Sequence, residues 1–325
     1  MMMIFFTGFG LALLLTLFAI KYFPKLNLLD FPERYNLKRS RIPYPGGLIF
    51  LLLALGILIT QQQWIIALLA LVLGLVSFID DKKDISGDVR LILHVLLAAV
   101  VFDFGIRIAF VGNPLDPGTS INLMTWPALS LLLTIVWIVA IQNALNWFDG
   151  IQGSAVGVSG VGFLALGLFG LLRPEVAWET YLPEFLTLSW FLAGCCFGAF
   201  YFFWKGKIIL GDTGSQVLGF LLAILSIFAG TKIATTLLIL GLPLLDFVFV
   251  IFRRIFIEKK SPFKGDQSHL PQRLAQKFGE PKACLLLVSF SAILGATSIF
   301  LTGTHKIFAL ILVLLLISKP ILSKR

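Results

Sequence analysis

The chain has 325 residues, 58% of them hydrophobic and only 13% charged, with a formal charge of +9 and a mean hydropathy of +0.96. A soluble globular domain carries roughly a quarter charged residues, so this composition excludes one and describes an integral membrane protein. At about 20 apolar residues per crossing, the length allows on the order of ten or eleven helices and excludes a separate soluble domain.

Apolar runs fall at 2–22, 46–60, 64–79, 91–112, 125–145, 153–172, 184–204, 214–230, 233–252, 283–302 and 306–322. They predict an all-α, polytopic fold of about eleven transmembrane helices in one domain, 1–325. Ten is the alternative, because Asp103 and Arg107 interrupt the fourth run at a spacing suited to an ion pair. Met2 to Phe23 has neither a basic start nor a small-residue cleavage site, so it reads as a retained first span. Cys195, Cys196 and Cys284 lie inside apolar runs and read as small core residues.

Orientation follows from charge. With the N-terminus outside, only Arg107, Arg173, Lys232 and Lys306 of the 26 Lys and Arg fall on or near the outer side, as the positive-inside rule requires. The net charge is thus accounted for by topology, and no nucleic-acid partner is expected. The same orientation puts Asp80, Asp81, Asp84, Asp149, Asp212 and Asp246 at cytoplasmic ends of spans, beside loops at about 22–45, 80–90, 143–153, 205–215 and 253–282.

Along the chain, the first of these loops ends in Ile42-Pro43-Tyr44-Pro45-Gly46-Gly47, where Pro and Gly at a helix start would leave backbone N–H groups for an anion. A basic loop at the membrane surface explains it equally well. Phe78-Ile79-Asp80-Asp81-Lys82-Lys83-Asp84 places three carboxylates where an apolar run ends. An acidic side chain costs about 2.5 to 3.5 kcal/mol at a membrane helix centre, so such a cluster asks for a partner, and Mg²⁺ suits carboxylates and phosphate together. Lys82 and Lys83 neutralising a solvated loop is the competing explanation. In Asn143-Ala144-Leu145-Asn146-Trp147-Phe148-Asp149-Gly150-Ile151-Gln152-Gly153, the two Asn and Asp149 form an i, i+3, i+6 polar stripe. Gly150 and Gly153 then admit a ligand close to the backbone, unless the amides serve only to join helices. Lys207 to Ser215 sets Gly211-Asp212-Thr213-Gly214-Ser215 at a helix start, an arrangement for phosphate and metal beyond a simple N-cap. Pro243-Leu244-Leu245-Asp246 interrupts the ninth run, and Arg253, Arg254, Lys264 and His269 follow in a basic loop.

Taken in order from about Leu29 to Leu274, these segments resemble the polyprenyl-phosphate N-acetylhexosamine-1-phosphate transferases. That family's Pro-x-x-Gly-Gly entry, acidic loop, Asn-x-x-Asn-x-x-Asp-Gly, Gly-Asp-x-Gly-Ser and Pro-x-x-Asp with a His loop all occur here in sequence. Three departures stand out: Gln152 replaces a second acid, the His-x-His-His cluster is reduced to His269-Leu270-Pro271-Gln272, and Phe202 stands near an expected Asn.

The resemblance implies transfer of an N-acetylhexosamine 1-phosphate, first of all N-acetylglucosamine, from a UDP-sugar to undecaprenyl or another polyprenyl phosphate, with release of UMP. UDP-N-acetylmuramyl-pentapeptide is the alternative donor. It implies Mg²⁺, with Mn²⁺ as substitute, held by Asp212 and Asn146. It implies catalytic roles for Asp80, Asp81, Asp149 and His269, and substrate contacts by Asn143, Asn146, Gly150, Gln152, Lys207, Ser215, Asp246, Arg254 and Lys264. It also implies a multi-pass protein of the inner, cytoplasmic membrane, surrounded by membrane lipid, working on its cytoplasmic face and pairing as a homodimer. A secondary transporter is the competing class, but its sites should lie near the bilayer midplane. A purely structural scaffold explains the spans and not the motifs.

Overall fold

The computed structural model describes residues 1–32, 39–113, 119–172, 182–228, 233–259, 269–301, 305–306, 308–309 and 311–313. Its helices are α1 Met2–Tyr22, α2 Gly47–Thr60, α3 Trp64–Lys83, α4 Gly87–Asp103, α5 Pro127–Phe148, α6 Ser154–Leu172, α7 Leu182–Trp204, α8 Gly211–Phe228, α9 Ile233–Ile239, α10 Gly241–Phe252, α11 Leu270–Phe278 and α12 Glu280–Phe300. One departure from an all-helical fold is a short antiparallel hairpin between α4 and α5, β1 Phe110–Gly112 and β2 Ser120–Asn122, with Phe110 opposite Asn122. Its approach is fixed on α5, where Ser130 Oγ donates to Ile108 O at 2.7 Å and Ile108 N–H donates to Thr134 Oγ1 at 3.0 Å.

Seven of the described helices, α1, α3, α5, α6, α7, α8 and α12, are long and apolar enough to cross a membrane. The other four expected spans take different forms. The 46–60 run is the 14-residue α2, about 21 Å long and shorter than a hydrocarbon core of about 30 Å. The 91–112 run is the 17-residue α4, and Arg107 lies over the Phe102 ring at 5.6 Å, with no ion pair to Asp103 among the described residues. The 233–252 run is divided between α9 and α10, and most of 306–322 lies outside the described residues.

The bundle is built around α8. Its 18 residues are buried almost all round, as an apolar helix at the centre of a bundle should be, and α2, α3, α5 and α6 pack on it. Small residues set the closest approaches. A Cβ on Gly47 would meet Gly214 N at 2.1 Å, and one on Gly219 would meet Gln142 Cα at 2.8 Å. Trp137 Nε1 donates to Ser226 Oγ at 2.8 Å, a further tie between α5 and α8. The C-terminal ends of α3 and α5 and the N-terminal end of α4 thereby meet the start of α8 at one end of the bundle, where the acids lie.

Candidate active site

The start of α8 is held by a carboxylate from another helix. Asp81, in the last turn of α3, accepts Asp212 N–H at 2.7 Å on Oδ1 and Thr213 N–H at 3.0 Å on Oδ2. It also accepts Thr213 Oγ1 and the Tyr44 hydroxyl, each at 2.5 Å. Asp81 does for α8 what an N-cap normally does from within the helix: it satisfies backbone donors that have no intrahelical acceptor. Gly211, at φ +77°, leaves room for it, since a Cβ there would meet Asp81 Oδ2 at 2.9 Å and Tyr44 Cε2 at 2.8 Å. The two glycines flanking Asp212 are thus required by backbone shape and by the α2 crossing.

The loop before α2 is pinned to the same place. Ile209 N–H donates to Pro43 O at 3.1 Å, Gly46 N–H to Ile209 O at 2.6 Å, and Gly47 N–H to Leu210 O at 2.8 Å. The two glycine N–H groups considered for an anion are therefore spent within the protein. Asp30 closes the loop by accepting Ile42 N–H at 2.6 Å and Arg39 Nη2 at 2.5 Å.

Asp80 accepts Ile85 N–H at 2.6 Å on Oδ1 and Arg90 Nη1 at 2.8 Å on Oδ2. The same Arg90 Nη1 reaches Asp212 Oδ2 at 2.7 Å. Burial opposes the guanidinium charge, but Asp212 and Asp80 outweigh it and hold the Arg90 pKa above its usual value. On the other oxygen of Asp212, Asn146 Nδ2 donates at 3.0 Å, and it also donates to Ser215 Oγ at 2.9 Å. The Asn146 side-chain oxygen has no partner among the described residues.

Asp149 is the residue after α5, before a turn closed by Ser154 Oγ donating to Phe148 O at 2.7 Å. Its carboxyl makes no hydrogen bond or ion pair among the described residues. Burial first, then the charges of Asp212 and Asp81, push its pKa well above the ordinary carboxylate value. Asp80, Asp81, Asp149 and Asp212 line one cavity of about 570 Å³, together with Asp30, Arg39, Tyr44, Arg90, Gly150 and Gln152. A second cavity of about 480 Å³ adjoins it, sharing Arg39, Asp149, Gly150 and Gln152 and adding Trp204 and Lys205.

Other expected site residues lie elsewhere. Asn143 is paired with buried His94, Nδ2 to Nδ1 at 3.3 Å, and donates to Val139 O at 2.8 Å. Lys207 is exposed, away from the lining of both cavities. Asp246, His269 and Arg254 gather around Trp147 in a cluster that lines neither cavity. Lys264 lies outside the described residues. Arg90, Tyr44 and His94 enter the site or its immediate support without having been expected there, and the Thr213 hydroxyl, expected near phosphate, is spent on Asp81.

A match to the family described as glycosyl transferase family 4 covers residues 63–230, more than half of the chain. The chain belongs to glycosyl transferase family 4. A probable undecaprenyl-phosphate N-acetylglucosaminyl 1-phosphate transferase of Bacillus subtilis (strain 168) is 30% identical over 318 residues, covering 91% of this chain and 85% of the relative. An undecaprenyl-phosphate alpha-N-acetylglucosaminyl 1-phosphate transferase of Thermotoga maritima is 29% identical over 288 residues, 87% of this chain and 84% of that one. A phospho-N-acetylmuramoyl-pentapeptide-transferase of Chlorobaculum parvum is 28% identical over 257 residues, 66% and 68% of the two chains. The resemblance drawn from the motifs is borne out at the level of the family. Family membership and the apolar helices together make this a multi-pass membrane protein. The part matched to glycosyl transferase family 4 contains Asp80, Asp81, Arg90, Asn146, Asp149, Asp212 and Ser215, and it ends before Asp246 and His269.

Proposed function

We propose that the protein transfers N-acetylglucosamine 1-phosphate from UDP-N-acetylglucosamine to undecaprenyl phosphate, releasing UMP. The observation that carries this reading is the meeting of Asp80, Asp149, Asp212 and Arg90 in one cavity at one end of an apolar bundle. That is where a membrane-bound phosphate and a soluble nucleotide sugar can meet. Two relatives named for N-acetylglucosaminyl 1-phosphate transfer, each aligned over more than four-fifths of this chain, support the donor. The positive-inside charge bias supports a cytoplasmic position for the site, an outside N-terminus and residence in the inner membrane.

In this reading an oxygen of the lipid phosphate attacks the β-phosphorus of the donor. The bond from that phosphorus to the oxygen of UMP breaks, and UMP leaves with the bonding electrons. One pyrophosphate linkage replaces another with no redox change, so catalysis consists of positioning and charge neutralisation. Arg90 supplies positive charge to phosphate oxygens between Asp80 and Asp212. Asp80 orients the lipid phosphate or takes its proton. Asp81, with both oxygens occupied by donors, holds the start of α8 in place. Gly150 and Gln152 form the floor against which the nucleotide rests, and the family resemblance assigns His269 to the pyrophosphate.

The donor set fits Mg²⁺, or Mn²⁺ in its stead. Asp149 carries a half-buried carboxyl that has no hydrogen-bond or ion-pair partner among the described residues and lies within reach of the charge of Asp212, and Asn146 keeps an oxygen unpaired among the same residues, all hard oxygen ligands. Asp212, Asp149 and Asn146 would hold the ion, which when bound neutralises charge on the phosphates.

The test is UMP release by purified protein in detergent with Mg²⁺, undecaprenyl phosphate and a panel of UDP-sugars. Release that requires the lipid phosphate and is fastest with UDP-N-acetylglucosamine is the expected result. Preference for UDP-N-acetylmuramyl-pentapeptide would move the protein to the other donor, and no release with any donor would remove the transferase reading.

A further inference from the structure

Asp246 is 1% exposed and lines neither cavity. Both of its oxygens are used inside the protein. Oδ1 accepts Leu270 N–H at 2.8 Å, capping α11 from α10, and Oδ2 lies 3.0 Å from His269 Nδ1. His269 is itself buried, and its ring lies 5.1 Å from that of Trp147. Phe247 packs on the same indole at 4.8 Å, and the Arg254 guanidinium lies over it at 4.9 Å. Among the described residues, His269 Nε2 has no hydrogen-bond partner.

We propose that Asp246 is a positioning residue, holding His269 with a proton on Nδ1 so that Nε2 is the nitrogen presented to the pyrophosphate of the donor. Only the identity of that ligand rests on the proposed transferase function. A carboxylate at this contact accepts and does not donate, so the facing Nδ1 carries the hydrogen. The carboxylate cannot turn to another partner without abandoning the first N–H of α11, so one buried group fixes both the helix start and the ring. Trp147 carries the arrangement to the chemistry, because it stands between Asn146 and Asp149 in the chain. One turn along α11, Gln272 lies over Gly150, where a Cβ would meet its Nε2 at 2.0 Å. The start of α11, which His269 precedes, thus packs directly on the segment that lines the cavity.

Asp246→Asn separates this role from simple support. The amide keeps the size and the oxygen that caps α11, but turning its NH₂ toward Nδ1 makes that nitrogen an acceptor and moves the proton to Nε2. The chain has three His, so ¹⁵N-histidine NMR of the purified protein, with His269→Gln for assignment, reads the tautomer directly. The expected result is a Nδ1–H to Nε2–H change at His269 in Asp246→Asn. With it, kcat for UMP release should fall about 10- to 100-fold with little change in KM, and Asp246→Glu should recover part of the loss. In the His269→Gln background, Asp246→Asn should cost nothing further. An unchanged tautomer, or losses that multiply in the double variant, would overturn the proposal. A wild-type protein without UMP release would defeat the proposed function instead, and the tautomer comparison would still decide the role of Asp246.

Discussion

A single nitrogen of Arg90 joins Asp80 and Asp212, 2.8 Å from the first and 2.7 Å from the second, although the two acids are 132 residues apart and on different helices. The guanidinium sets positive charge directly between two of the acids that line the cavity. Replacing Arg90 by Ala should lower kcat by about 100- to 1,000-fold, the range for loss of one charge-stabilising donor. Lys should restore part of the rate, since it carries the charge without the planar fork. Steady-state UMP release by the three proteins measures this.

Asp81 makes a different demand. Asp81→Ala leaves two backbone N–H groups and two hydroxyls without their acceptor, at about 1 to 3 kcal/mol for each group that water does not reach. The variant should lose activity through stability. Thermal unfolding in detergent should show a clear fall in Tm for Asp81→Ala, while Asp80→Ala, which loses one backbone donor and one half of the Arg90 contact, should fall less.

Gly47 tests the packing that brings α2 to the start of α8. With Gly214 N only 2.1 Å from where a Cβ would be, Gly47→Ala must separate the two helices, and overpacking of this kind costs about 1 to 3 kcal/mol. Gly56, with nothing within 4 Å of its would-be Cβ, is the control: Gly56→Ala should leave Tm unchanged or slightly raised.

The raised pKa of Asp149 has a sign that can be measured. The folded, metal-free protein holds this proton more tightly than the unfolded chain does. The stability it contributes is therefore present in acid and lost as pH rises from the ordinary carboxylate value to the raised one. In chelator, Asp149→Asn should gain Tm relative to the wild type as the pH rises above the ordinary carboxylate range. If Asp149 holds Mg²⁺, metal and proton compete, and wild-type affinity for Mg²⁺ should rise with pH by up to about tenfold per unit. Calorimetric titration should show that dependence, and Asp149→Asn should flatten it.

Much of the fold is legible in the sequence because membrane helices announce themselves by length and apolarity. The 2–22 run coincides with α1, and the 153–172 run with α6 to within one residue. The single span expected at 233–252 divides because Pro243 has no N–H and its ring crowds the carbonyl four residues back, at Ile239, where α9 ends. In the site, Asp80, Asp149, Gly150, Gln152 and Asp212 were legible because each sits in a short motif whose glycines or paired acids have little structural use elsewhere. Arg90 was not, since one Arg at a cytoplasmic end is indistinguishable from a topological charge until Asp212, 122 residues away, is folded against it. Asn143 shared the helical face of Asn146, yet its partner is His94 on α4, a pairing no local pattern carries. The Gly46 and Gly47 N–H groups looked available because their acceptors, Ile209 and Leu210, belong to a distant loop.

The most direct measurement follows the β-phosphorus. Purified protein with Mg²⁺ and undecaprenyl phosphate is given UDP-N-acetylglucosamine labelled with ³²P at the β-phosphate, and lipid and aqueous products are separated. The account predicts label in the lipid together with the sugar, unlabelled UMP in water, and loss of both in Asp212→Asn with the fold intact. Label left in water as UDP, with sugar alone on the lipid, would contradict it, because the bond broken would then be the glycosidic one.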